Sequence, residues 1–215
     1  SLEPGEHSLH GFHSFPRRCS NPAAGSDPLP RTSRQMGTPV DYRDSMSNDL
    51  TIGILHPGQM GAAVGAAAAA SGHRGLWASQ GRSATTVARA AASDLEDVGS
   101  IHQVVAADLI LSVCPPQAAS DVAREVVAAG FGGLFVDANA TSPDTARVLA
   151  SVVEAGGAAF VDGGIIGFPP HTAGTTRIYL SGVRADEAAQ IFSGSPLEAR
   201  AVGMEPGVAS ALKMA

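Results

Sequence analysis

From residue 50 onward, short apolar runs alternate with stretches of helical character, and this alternation leaves few folds open to the chain. The apolar runs cover 50–55, 75–79, 108–113, 134–138 and 159–163; the helical stretches between them cover 59–71, 83–92, 117–129 and 143–155. Strands that are apolar on both faces need cover on both faces, and helices that alternate with strands supply it. The pattern predicts an α/β fold with a doubly wound, mostly parallel sheet. Residues 176–182 add a late strand, a short helix follows from Ala185, and 207–215 read as the opening turns of a further helix.

The first 48 residues have a different character. They hold six of the 14 prolines, many Ser and Gly, and no apolar periodicity. Such a segment buries too little to offset its ordering entropy, so a disordered extension is expected over 1–48. Met46 looks like a natural start, which would make 1–45 an upstream translation artefact. His7, His10 and His13 are evenly spaced there, but they lack carboxylate or thiolate partners at useful spacing, so no metal site is expected. The nucleotide-binding domain is expected over 49–203. Residues 204–215 would begin an interdomain helix, with a C-terminal helical domain missing beyond it.

Bulk properties exclude several classes. The net charge of −6 argues against nucleic acid or an anionic membrane as partner. No apolar run approaches the ~20 residues of a membrane span. The N-terminus lacks the apolar core of a secretion signal. Cys19 and Cys114 form no disulfide framework, which fits a reducing cytoplasm.

The loop after the first strand carries chemistry. In a doubly wound sheet, ligands sit beyond the carboxyl ends of the strands. Here the strand ends at Leu55 and His56, Pro57, Gly58, Gln59, Met60 and Gly61 follow. Gly58 lets the backbone approach a diphosphate, Gly61 lets the next helix pack on the strand, and the free amides of Gln59 to Gly61 face the anion. This is a Rossmann-type joint, with one departure. His56 and Pro57 stand where a glycine normally permits the tight turn, and Pro57 biases His56 toward an extended backbone.

The second strand bears on which dinucleotide. An NAD site usually shows an acid about twenty residues past the loop, to hold the ribose 2′-hydroxyl. Here the position is Ser79, with no acid near it, and Gly81, Arg82 and Ser83 follow. Ser79 can hydrogen-bond a 2′-phosphate, Gly81 lets the turn wrap it, and Arg82 offers a planar charged fork. This favours NADP over NAD. Arg82 as a solvated loop residue and Ser83 as a simple helix cap remain open.

The chain from about residue 50 resembles the β-hydroxyacid dehydrogenases of the 6-phosphogluconate dehydrogenase superfamily, with the imine reductases as more distant relatives. "IGILHPGQMG" (52–61) is similar to the family's opening glycine motif, "SVCPP" (112–116) to its fourth-strand loop and "VDANATSP" (136–143) to its D-x-S-T-x-x-P segment. "FVDGGIIGFPPHTAGTTRIYLSG" (160–182) is similar to its substrate loop and following strand, and "GVASALKMA" (207–215) to its G-x-G-x-x-x-K.

The resemblance implies a hydride-transferring oxidoreductase. Its substrate would be a small hydroxy, oxo or imine compound, and full-length relatives are homodimeric. It also implies that Val113, Cys114 and Pro115 pass the cofactor and that Lys213 is the catalytic base. Asn139 could bond the ribose or carboxamide, or merely end its strand. Gly163 and Gly164 would let substrate approach the backbone and Ile165 and Ile166 would wall it, or the two glycines form a plain turn. Ile166 stands where the family often has a substrate-binding serine, so the small hydroxyacids of the better-known members are not the expected substrates. Cys114 reads as a packing residue, His171 as a loop residue, and Lys213 alone would pass for a surface lysine. The alternative is a non-catalytic NADP-binding fragment without the substrate and dimerisation domain.

Overall fold

The structure is a computed structural model and describes residues 49–215. The expectations for 1–48, the extension and its three histidines, lie outside the described residues.

Eight strands form one sheet: β1 (Thr51–Leu55), β2 (Arg74–Trp77), β3 (Glu96–Asp97), β4 (Leu109–Ser112), β5 (Leu134–Asp137), β6 (Ala159–Gly167), β7 (Thr176–Ser181) and β8 (Glu198–Gly203). Their order is β3-β2-β1-β4-β5-β6-β7-β8. The pairings are parallel except β6 with β7. The order reverses between β1 and β4, the switch point beside which a doubly wound sheet binds its ligand.

The helices are α1 (Gln59–Ala70), α2 (Ala84–Ala91), α3 (Ile101–Val104), α4 (Ala119–Ala128), α5 (Pro143–Ala155), α6 (Ala185–Gln190) and α7 (Val208–Met214). Side chains alternate across each strand, and this splits the core in two. Ile52, Ile54, Leu109, Leu111, Leu134 and Val136 face Val64 and Ala67 of α1 and Ala185 and Ala188 of α6. Ile110, Phe135 and Phe160 face Val122 and Val126 of α4 and Leu149 and Val153 of α5. The second face holds the sheet's aromatic pair, Phe135 and Phe160, stacked with ring centroids 6.3 Å apart.

Three elements are absent from the sequence reading. β3 is two acidic residues, and α3 is a single turn. β8 reads Glu-Ala-Arg-Ala-Val-Gly, charged and largely exposed, as befits an edge strand that must resist pairing with other chains. β6 is also longer than expected. Gly163 and Gly164 lie inside it, opposite Leu180 and Tyr179 of β7, so the glycine turn after residue 163 does not exist.

Register places the ligand-facing edge. Leu55 pairs with Ser112, Ser112 with Asp137, and Asp137 with Asp162. The residues that follow these four, His56, Val113, Ala138 and Gly163, therefore rise from one carboxyl edge of the sheet. Among the described residues no helix is long and apolar enough to cross a membrane.

Candidate functional site

The first loop turns more sharply than the sequence predicts. His56 has φ +61°, against the extended backbone that Pro57 favours. The corner out of β1 requires the left-handed region, and His is among the residues that enter it more readily than most. Pro57 then sits at the centre of a three-residue turn in which the Gly58 amide donates to the His56 carbonyl at 2.6 Å. Its fixed φ suits that position. Gly61 is needed for close approach, because a Cβ there would lie 2.8 Å from the His56 carbonyl oxygen. Gly58 caps α1 with no side-chain partner for the helix's first amides, so those of Gln59, Met60 and Gly61 remain available to an anion.

Two cavities meet at this corner. One, about 390 Å³, is lined by His56, Gly58, Gln59, Met60, Gly61, Arg82, Thr86, Val113, Cys114 and Pro115. The other, about 430 Å³, is lined by Ile54, Leu55, His56, Ala78, Gln80, Arg82, Ile101, His102, Val122, Glu125 and Val126. His56 and Arg82 belong to both. Thus the glycine loop, Arg82 and the 113–115 loop are brought together as the sequence suggests. Pro57 contributes its carbonyl, which accepts from Arg89 at 3.3 Å.

Gln80, Thr86, Ile101, His102 and Glu125 were not foreseen. The last three come from α3 and α4, which fold over the sheet from far along the chain, and no local motif marks them.

Other residues stand elsewhere. Ser79 does not reach the cavity wall that Ala78 and Gln80 line. Its amide donates to Asp97 at 3.1 Å. The expectation of no acid near Ser79 is corrected here, because β3 carries Asp97 in opposite Trp77. Hydrogen bonds from Ser79 and the Gly99 amide hold the Asp97 carboxyl below its usual range. It is absent from the cavity lining, where Arg82 stands. Gly81 turns with φ +74°, and Ser83 caps α2 by accepting from the Thr86 amide at 3.3 Å.

Asn139 is 2 % exposed. Its Oδ1 accepts from the Cys114 amide at 2.5 Å, and its Nδ2 donates to Ser112 Oγ at 3.1 Å and to Asp137. It ties the β4 and β5 loops together, with both Nδ2 protons engaged. Cys114 is half-buried, and burial raises its thiol pKa, as suits a packing residue.

On β6 the side chains divide. Ile165 is buried in the core shared with α1 and α6, so it walls no substrate space. Ile166 is 43 % exposed on the opposite face. Gly164 is where α7 touches the sheet: a Cβ there would lie 2.8 Å from the Ala209 carbonyl oxygen and 3.1 Å from Lys213 Cβ. Gly163 likewise lies against the end of β5, 3.2 Å from the Asp137 carbonyl oxygen by the same measure. Both glycines serve packing. Gly164 seats α7, and with it Lys213, against β6. Burial lowers the Lys213 pKa below its ordinary value, and no partner is recorded for its ammonium among the described residues.

Solved structures with this architecture carry related names. A conserved protein of unknown function, MTH1747, described as structurally similar to 3-hydroxyacid dehydrogenases, is 30 % identical, with a TM-score of 0.68 over 77 % of this chain and 62 % of that one. The described residues are thus similar in fold to a protein that is itself likened to the 3-hydroxyacid dehydrogenases. A Mycobacterium tuberculosis 3-hydroxyisobutyrate dehydrogenase solved with L-serine matches this domain at 25 % identity and TM-score 0.64, over 76 % of this chain and 57 % of that one. A reductive aminase from Aspergillus terreus, solved with NADPH4, cyclohexanone and allyl amine, shares the fold at 22 % identity and TM-score 0.63, over 77 % and 59 %. The chain therefore spans about three-fifths of the length of these proteins. No family model and no curated protein matches it.

Proposed function

We propose that this domain binds a nicotinamide dinucleotide, NADP(H) in preference to NAD(H), and serves an oxidoreductase that acts on a small hydroxy, oxo or imine compound. The carrying observation is that Arg82 and the uncapped amides of α1 border one cavity, which Arg82 and His56 join to a second. A dinucleotide fits what is present: a helix start for its diphosphate and a guanidinium for a phosphate on the adenosine ribose. Asp97, the nearest acid to the second strand's end, has Oδ1 occupied by two amides. Arg82, unlike Asp97, stands in the cavity lining, and this favours a phosphate there.

A bound nicotinamide supplies hydride transfer, and the chain's part is to position it and move a proton. Lys213 suits the second task. Desolvation disfavours its ammonium, which brings the amine closer to a general base for a substrate hydroxyl. Ile166 presents an apolar branch on the face that carries α7, which favours a substrate with an apolar substituent there.

Fluorescence titration with NADPH and NADH tests the cofactor. Arg82→Ala is expected to weaken NADPH by about 1–3 kcal/mol, the scale of a charged hydrogen bond, and to spare NADH. Equal wild-type affinity for the two would remove the role given to Arg82.

A further inference from the structure

We propose that His56, as the neutral tautomer carrying its proton on Nε2, donates a hydrogen bond to the diphosphate of the bound dinucleotide. This rests on the cofactor reading above and assigns the ring a role within it. The ring lines both cavities, so a dinucleotide spanning them carries its diphosphate past it. His56 Nδ1 is buried and has no hydrogen-bond partner among the described residues. A buried N–H without an acceptor is costlier than a bare lone pair, so the proton belongs on Nε2.

Burial and the nearest cation oppose a second proton on the ring. Arg82 approaches from the β2–α2 loop, and Arg89 of α2 bonds the Pro57 carbonyl at 3.3 Å. Cys114 of the 113–115 loop lines one cavity with His56, and His102 of α3 and Glu125 of α4 line the other, Glu125 being the one carboxylate among them that would favour a second proton. Burial first, and the Arg82 charge second, lower the His56 pKa to about 4. The imidazole therefore meets an anion as a neutral donor.

The backbone gives it that task. The Gly58 amide, which a glycine loop would direct outward, is turned in to the His56 carbonyl. The positive φ that sets this turn also carries the ring to the cavity junction. Backbone strain of this kind concentrates at ligand sites.

Calorimetric titration of the whole chain with NADPH, and with adenosine 2′,5′-bisphosphate as a probe without a diphosphate bridge, tests the assignment. His56→Gly keeps the left-handed corner and removes the donor; His56→Asn tolerates the corner and restores an N–H. His56→Gly is expected to weaken NADPH tenfold or more and leave the bisphosphate within twofold, with His56→Asn regaining most of the loss. Proton uptake, read in buffers of different ionisation heat, should match between wild type and His56→Asn. Undiminished NADPH binding by His56→Gly overturns the proposal and makes the ring a plug. An extra proton taken up by wild type overturns the neutral tautomer. If wild type binds neither NADPH nor NADH, the cofactor reading itself falls, and this one with it.

Discussion

Asp137 and Asp162 stand side by side, in register on the parallel strands β5 and β6, and both are sealed from solvent. Their environments differ. Asp162 Oδ2 accepts from the Gly207 amide at 3.0 Å, the Ser210 amide at 2.8 Å and Ser181 Oγ at 3.2 Å; its Oδ1 accepts from Ser210 Oγ at 2.6 Å. Asp137 has only the Asn139 amide on Oδ1, and its Oδ2 has no partner. Burial, opposed by the Asn139 hydrogen bond and reinforced by the charge of Asp162, pushes the Asp137 pKa up to about 7.

That asymmetry gives a pH-dependent stability. An unfolded Asp titrates near ~3.9, so between that value and about 7 the folded chain holds the extra proton. Stability attributable to Asp137 therefore falls as pH rises through this window and is level above it. Asp137→Asn keeps the neutral shape at every pH. It is expected to match wild type near pH 4 and to exceed it at pH 8 by roughly 1–3 kcal/mol, a discounted fraction of the full shift. Thermal unfolding of both proteins across pH 4–8 reads the difference directly. A constant gap across that range would mean Asp137 is ionised in the fold.

Asp162 does its work on α7. It takes the amides at the start of that helix, while Ser181 Oγ accepts from the Ala209 amide at 3.0 Å. Asp162→Ala would strand several buried donors at once, and a loss of about 3 kcal/mol is expected. Hydrogen exchange should localise the damage. The amides of Gly207, Ala209 and Ser210 are expected to lose protection well before those of β1 or β4. Uniform loss across the sheet would contradict a role confined to docking α7.

Gly164 makes the same joint from the other side. A methyl at this position would press on the Ala209 carbonyl, which belongs to backbone and cannot swing away. Gly164→Ala is expected to cost about 1–3 kcal/mol by overpacking. Denaturant unfolding measures it, with Gly132→Ala as control, because a Cβ at Gly132 meets nothing within 4 Å.

What the sequence revealed follows from where its information is local. The β1–α1 corner was legible because its glycines, proline and apolar strand adjoin one another, and the 113–115 loop because it follows a plain strand. The positive φ of His56 was not, since the pre-proline bias is a local preference and the corner is a demand of the sheet. Asn139 showed only as polar after a strand; its three partners come from β4, the loop after it and β5. Asp97 was invisible beside Ser79 because 18 residues separate them along the chain. The glycine pair at 163–164 was misplaced for a related reason. Glycine suggests a turn when its neighbours are unknown, and a close contact once α7 is seen lying over it.

Lys213 offers the remaining test, one that separates a base from a surface lysine. It projects from the last turn of a helix whose seat on β6 is fixed by Gly164 and Asp162, and burial alone lowers its pKa. A base must lose its proton before it can accept one from a substrate hydroxyl. The rate of alcohol oxidation with NADP should therefore climb with pH through an inflection below the ordinary lysine value of 10.5. Lys213→Arg keeps the positive charge but cannot deprotonate in this range, so that inflection should vanish and kcat/KM fall by about 10²–10⁴, the usual contribution of general-base catalysis. NADPH affinity should stay within twofold of wild type, because the two cavities proposed to hold it are lined by other residues. Turnover that keeps both its rate and its pH profile in Lys213→Arg would assign the proton to another group and return this lysine to the surface.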